Sequence, residues 1–146
     1  MSPPADAPAD ERLLLLAQEA AEVPLLSALV QSATLRLPDI AYDARARRLV
    51  LLVNRYRWED PTTRTRVRSA LRIESVLSVQ RRSWPNQTPG DPGVTVLELL
   101  AFTLDADTLT LTFAGGAALR VTVEVPDLVL EDVSGPWAAG SEPRYE

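Results

Sequence analysis

Between positions 108 and 125 apolar and polar residues alternate with a period of two, interrupted once by paired glycines. Leu109, Leu111 and Phe113 alternate with Thr108, Thr110 and Thr112, and Leu119, Val121, Val123 and Val125 alternate with Arg120, Thr122 and Glu124. The pattern predicts two strands, each with one apolar and one polar face. A two-residue turn at Gly115-Gly116 would set Leu111 opposite Arg120 and put the apolar faces out of phase. A three-residue loop, Ala114-Gly115-Gly116, instead pairs Phe113 with Ala117, Leu111 with Leu119 and Leu109 with Val121. It also places Gly116 at the left-handed position of a G1-bulge hairpin. Positions 94–104 read as a preceding strand on which Leu100, Phe102 and Leu104 share a face. A four-residue loop, 105–108, pairs Leu104 with Leu109 and Phe102 with Leu111, completing a three-stranded antiparallel meander. Glu98 departs from the pattern by falling on the face of Leu100 and Phe102. A bulge near Leu97–Leu99 that turns it outward is favoured over a functional buried acid.

Earlier in the chain, four consecutive leucines within 12–18 suggest either a strand buried on both faces or the start of the following helix. Leu25, Leu26, Leu29, Val30 and Ala33 form a helical stripe. Pro24 is tolerated only in a first turn, so the helix is predicted to begin near Glu22 and the leucines before it to form a strand. Strands are predicted at 34–42 and 48–58, separated by the polar turn Asp43-Ala-Arg-Ala-Arg47. A long strand is predicted at 65–80, with Val67, Leu71, Ile73, Leu77 and Val79 on one face and Arg66, Arg68, Arg72 and Glu74 on the other. Residues 1–11, rich in proline and acid, read as a disordered tail. The Pro/Gly-rich segment 83–93 reads as a loop, and 134–146 as an irregular tail whose Trp137 docks back. A single domain is expected over 12–133. The fold class is α+β: one N-terminal helix packed on six or seven mainly antiparallel strands, curved or closed into a barrel. A pleckstrin-like barrel is a candidate by analogy.

Composition narrows the chemistry. The chain of 146 residues is 46% hydrophobic, as a globular protein should be. Its apolar runs are too short to cross a membrane as helices, and Leu13–Leu16 is too short for a signal-peptide core. It contains no Cys, which is compatible with a cytoplasmic location. With His and Lys also absent, Schiff-base lysines, cysteine nucleophiles, Ser–His dyads, P-loop lysines and His- or Cys-ligated metals are excluded. No cofactor and no metal site are expected. Asp105-Ala-Asp107 reads as turn-forming rather than metal-binding, and no paired carboxylates converge in the pattern. Trp84 reads as a loop anchor. The chain is not expected to be an enzyme.

Charge is uneven. Between Arg45 and Arg82 eleven arginines face three acids, Glu59, Asp60 and Glu74, a local sum of +8 within a chain of net charge −5. If the strands ending at Trp58 and starting at Thr65 form a hairpin with an even loop, Arg57 pairs with Arg66 and Arg55 with Arg68. Four guanidinium groups then share one face, with Tyr56, Trp58 and Val67 on the other. Like charges facing each other are unfavourable unless an anion or acidic neighbour compensates. Either the chain's own acids neutralise the cluster, or it is a docking face for an acidic protein, a phosphorylated ligand or RNA. The candidate binding residues are Arg55, Arg57, Arg66, Arg68, Arg72, Tyr56 and Trp58. Nucleic acid is the weaker partner, because the total charge is acidic and the aromatics point away from the arginines. An Asp/Glu-based hydrolase comes third.

Four segments together carry a resemblance: Asn54-Arg-Tyr-Arg-Trp-Glu59, Arg66-Val-Arg-Ser-Ala-Leu-Arg72, Leu109-Thr-Leu-Thr-Phe-Ala-Gly-Gly116 and Gly135-Pro-Trp137. The chain resembles the bacterial domain-of-unknown-function family twenty-nine forty-eight over roughly positions 12 to 137. The first two segments are its most specific part, and 83–93 looks like a lineage-specific insertion. The resemblance implies a small cytoplasmic protein found singly. It supplies no substrate, cofactor or catalytic residue, and it points to the Arg/aromatic segment as the place for any site.

Overall fold

A computed structural model describes residues 12–85 and 95–140. It contains eleven strands in one sheet and a single α-helix among these residues. The strands are β1 (Leu14–Ala17), β2 (Ala33–Arg36), β3 (Ile40–Asp43), β4 (Arg48–Tyr56), β5 (Thr65–Ile73), β6 (Val76–Arg82), β7 (Val96–Asp105), β8 (Thr108–Phe113), β9 (Ala118–Val123), β10 (Leu128–Asp132) and β11 (Trp137–Ala138). Helix α1 spans Val23–Leu29. The order across the sheet is β1-β10-β5-β4-β2-β7-β8-β9-β6, with β3 also on β4 and β11 also on β5. Every pairing is antiparallel. The α+β class holds, but the sheet is open, with more strands than the six or seven expected and no closed barrel.

The meander forms as its alternation dictates. Leu111 stands opposite Leu119, Leu109 opposite Val121, and the Phe113 N–H donates to Ala117 O at 2.9 Å. Gly115 and Gly116 take φ of 88° and 95°, a region open to glycine at little cost. In β7 a bulge between Leu99 and Ala101 switches the inward parity from Leu97 and Leu99 to Phe102. It sets Glu98 on the outer face and leaves Leu100 exposed instead of sharing the face of Phe102. Helix α1 seats on this bulge: Ser27 Oγ accepts the Phe102 N–H at 3.0 Å, and Val23, Leu26 and Leu29 are buried.

Three other expectations change. The predicted strand 34–42 breaks at Pro38 into β2 and β3 with a short 3-10 turn, Leu37–Asp39, between them. The long strand 65–80 breaks at Ser75, whose φ of 56° turns the chain from β5, deep in the sheet, to β6 at its far edge. The Ser75 carbonyl then accepts the Glu124 N–H at 2.9 Å, which anchors the corner. Val76 takes the buried position and Leu77 is 54% exposed, the reverse of the expected phase. A register shift between Val76 and Ser78 restores Val79 to the inner side. Strand β1 is an edge strand, not one buried on both faces: Leu14 and Leu16 are 60% and 52% exposed. The expected tail 1–11 and most of the loop 83–93 lie outside the described residues. The tail from 134 is not wholly irregular, because β11 pairs with β5.

One buried cluster joins the inward side chains of β4, β5 and β10 (Leu51, Leu71, Leu130) to those of β7, β8 and β9 (Leu99, Leu111, Val121). Burial at roughly 1.5–3 kcal/mol per large side chain makes this cluster the main support of the sheet.

Candidate functional site

The β4–β5 hairpin decides where the arginines go. Its ladder pairs Tyr56 with Arg66, Arg55 with Val67 and Asn54 with Arg68, one residue away from the expected register. The cause is the connection. The Arg57 N–H donates to Thr65 O, so the loop runs from 58 to 64, an odd length. A tight turn from Tyr56 O to the Trp58 N–H opens it, and Arg64 closes it in the left-handed region at φ 49°. A slip of one residue sends alternate side chains to the opposite face. Arg55 and Arg57 therefore do not share a surface with Arg66 and Arg68, and Val67 lies on the side of Arg55.

Arg55 points inward and is fully buried. Its Nη1 and Nη2 donate to the Glu59 carboxylate at 2.8 Å each. Its Nε and Nη2 donate to Asp132 Oδ1 at 3.1 and 3.0 Å, and Ser69 Oγ donates to the same oxygen at 2.6 Å. The other Asp132 oxygen accepts the Leu13 N–H at 2.9 Å. Burial works against the Arg55 charge, but the hydrogen bonds and field of Glu59 and Asp132 outweigh it and raise its pKa. One guanidinium thus ties β4, β5, β10 and the chain entering β1. Asp132 could have been found in the sequence, since it shares the parity of Leu128 and Leu130 in β10. The two acids that meet here are bridged by Arg55 and do not line an open cleft. Arg57 is held to Thr65 Oγ1 at 3.2 Å.

The outer face carries the other three arginines. Arg66, Arg68 and Arg72 occupy alternate positions of β5 on this side, with Ala70 between the last two. Arg68 approaches Asp39 at 3.4 Å, and the Arg72 Nε is buried without a hydrogen-bond partner among the described residues. Arg66 donates to the Asn54 carbonyl at 2.9 Å and contacts no carboxylate among the described residues. Burial lowers its pKa, only partly countered by the fields of Glu98 and Tyr56. Of the predicted aromatics, Tyr56 is fully buried; its hydroxyl donates to Pro61 O and its ring meets Trp58 edge-on at 4.8 Å. The Trp58 Nε1–H donates to Gln31 O at 3.0 Å. Contrary to the expectation that the aromatics point away from the arginines, Tyr56 stands opposite Arg66 in the β4–β5 ladder, but it is buried. The exposed aromatic beside Arg66 is one the pattern did not single out for a site. Trp137 of β11 stands directly opposite Arg66 and is 42% exposed.

Among the described residues no group of three or more acidic side chains could hold a metal ion, and no helix is long and apolar enough to cross a membrane. A family model described as "Protein of unknown function (DUF2948)" matches residues 13–145. The chain belongs to this family. Comparison with curated proteins and with solved structures gives no match. The family is one of unknown function, so the outer face must be read from its own chemistry.

Proposed function

We propose that this DUF2948 protein is a non-catalytic binding protein, and that it docks an acidic partner protein on the outer face of β5. The state of Arg66 carries the proposal: a half-buried cation, desolvated enough to lower its pKa, with no carboxylate in contact among the described residues. A guanidinium held in this way already bears part of its desolvation cost and keeps donors free for a carboxylate or phosphate. Arg68 and Arg72 extend the row, Trp137 flanks it, and Leu14 and Leu16 expose apolar surface on the β1 edge of the same face. A partner segment that alternates acids with apolar side chains complements both features.

RNA or nucleotide binding is the second reading, supported by Trp137 beside Arg66. It is the weaker one, because Tyr56 and Trp58 are packed against each other rather than offered as a stacking platform. The test is fluorescence anisotropy with a labelled Glu/Leu-alternating peptide and a labelled single-stranded RNA, at low and raised salt. Salt-sensitive peptide binding that disappears in Arg66→Ala/Arg68→Ala supports the proposal. RNA binding that depends on Trp137 would replace it with the second reading, and binding of neither probe at low salt would overturn both.

A further inference from the structure

Strands β3 and β6 both lie at edges of the sheet. Each has one partner among the described residues, β4 and β9 respectively. Residues of β3 and β6 line a cavity of about 570 Å³, within the usual ~300–1,000 Å³ range of small-molecule sites. Leu49 and Leu119, both buried core residues, line it together with Ile40 of β3 and Val79 of β6. Trp84 closes one side. Its ring stands edge-on to Phe113 at 5.5 Å, which fixes it in place against the core.

Arg81 is the charged residue in the lining of this cavity, beside the apolar side chains of Leu37, Ile40, Leu49, Val79 and Leu119. It lies opposite Leu119 in the β6–β9 ladder, on the parity that Val79 uses to face inward. It forms no ion pair among the described residues. Tyr42, on β3, is also among the lining residues. A cavity that sets apolar side chains beside a guanidinium-bearing residue suits a ligand that is greasy along its length and singly negative at its head.

We infer that this cavity is a binding site for a monoanionic amphiphile, a medium-chain carboxylate, whose head pairs with Arg81 and whose chain lies over Leu49 and Leu119. The site shares no residue with the outer face of β5, so the two proposals stand or fall separately.

Decanoate, below its micellar concentration, is the probe, titrated by calorimetry and by amide chemical shifts. Saturable one-to-one binding is expected, with shifts centred on β3, β6 and Trp84. Arg81→Gln, a change at an exposed position, should weaken decanoate at least about tenfold, the lower end of what a hydrogen bond to a charged group contributes. Decanol should bind the natural chain with a comparable loss. The inference is overturned by absence of saturation, by decanol binding as tightly as decanoate, or by Arg81→Gln leaving the affinity unchanged. Shifts centred on Arg66 instead of β6 overturn it equally.

Discussion

Arg55 and Asp132, 77 residues apart in sequence, meet inside the protein through Nε and Nη2 at 3.0–3.1 Å. The contact takes Arg55 out of the expected docking surface and makes it an internal fastening, leaving Arg66, Arg68 and Arg72 of the same hairpin on the outer face. Removing one partner of a buried pair leaves the other charged and unpaired, which costs about 3–5 kcal/mol. Asp132→Ala should therefore lose stability in that range by denaturant titration. Arg55→Lys should also destabilise, because an ammonium cannot span Glu59 and Asp132 with one planar fork. A loss below 1 kcal/mol for both would mean that the pair does not hold β4 to β10.

Acid should loosen the same knot. Burial tends to raise the Glu59 pKa, but its hydrogen bonds to Arg55 and to its own backbone, with the fields of Arg55 and Arg57, bring it below the ordinary carboxylate value. A depressed folded pKa gives stability that is present above the unfolded value, roughly 4.3, and lost as pH falls through the folded value. Stability should drop on acidification below that point. Glu59→Gln should start lower at neutral pH, fall less steeply and approach the natural chain in acid. Parallel curves for the two proteins would show that Glu59 does not contribute to the slope.

At the closing hairpin Gly115 and Gly116 both have positive φ, and nothing lies within 4 Å of the Cβ that a substitution would add. The expected penalty is conformational rather than steric, about 1–2 kcal/mol for placing an L-residue in the left-handed region. Gly116→Ala should lower the melting temperature, whereas Gly116→Asn should lower it less, since asparagine tolerates that region better. Equal losses would argue that the turn is held by something other than backbone preference.

This hairpin was legible because strict alternation and two glycines leave one in-phase register. The arginine hairpin was not, and the difference lies in its loop. Arg64 in a left-handed conformation and the tight turn at Trp58 carry no sequence signal comparable to glycine, yet they make the connection odd and exchange the faces of β4 relative to β5. Ser75 is equally silent: nothing in its side chain announces a corner, so two strands at distant places in the sheet read as one. Trp137 was expected to fold back, but its place opposite Arg66 depends on a two-residue strand too short to show a period. The candidate site is therefore half inherited from the sequence, through Arg66, Arg68 and Arg72, and half assembled by register.

The last prediction separates binding from folding at that site. Changing Arg55 together with Arg66 would confound the two, because Arg55 is internal, whereas Arg66, Arg68 and Arg72 lie on the outer face. Arg66 is half-buried without an ion pair among the described residues, so its charge opposes folding rather than assisting it. Arg66→Met keeps the aliphatic cover over the sheet and removes the charge. It should leave the melting temperature unchanged or raise it, while abolishing salt-sensitive capture of the acidic peptide. A melting temperature that falls by several degrees would mean that Arg66 stabilises the sheet, and the case for a cation kept for a partner would collapse. If stability holds and peptide binding also survives, the docking surface is elsewhere on the molecule.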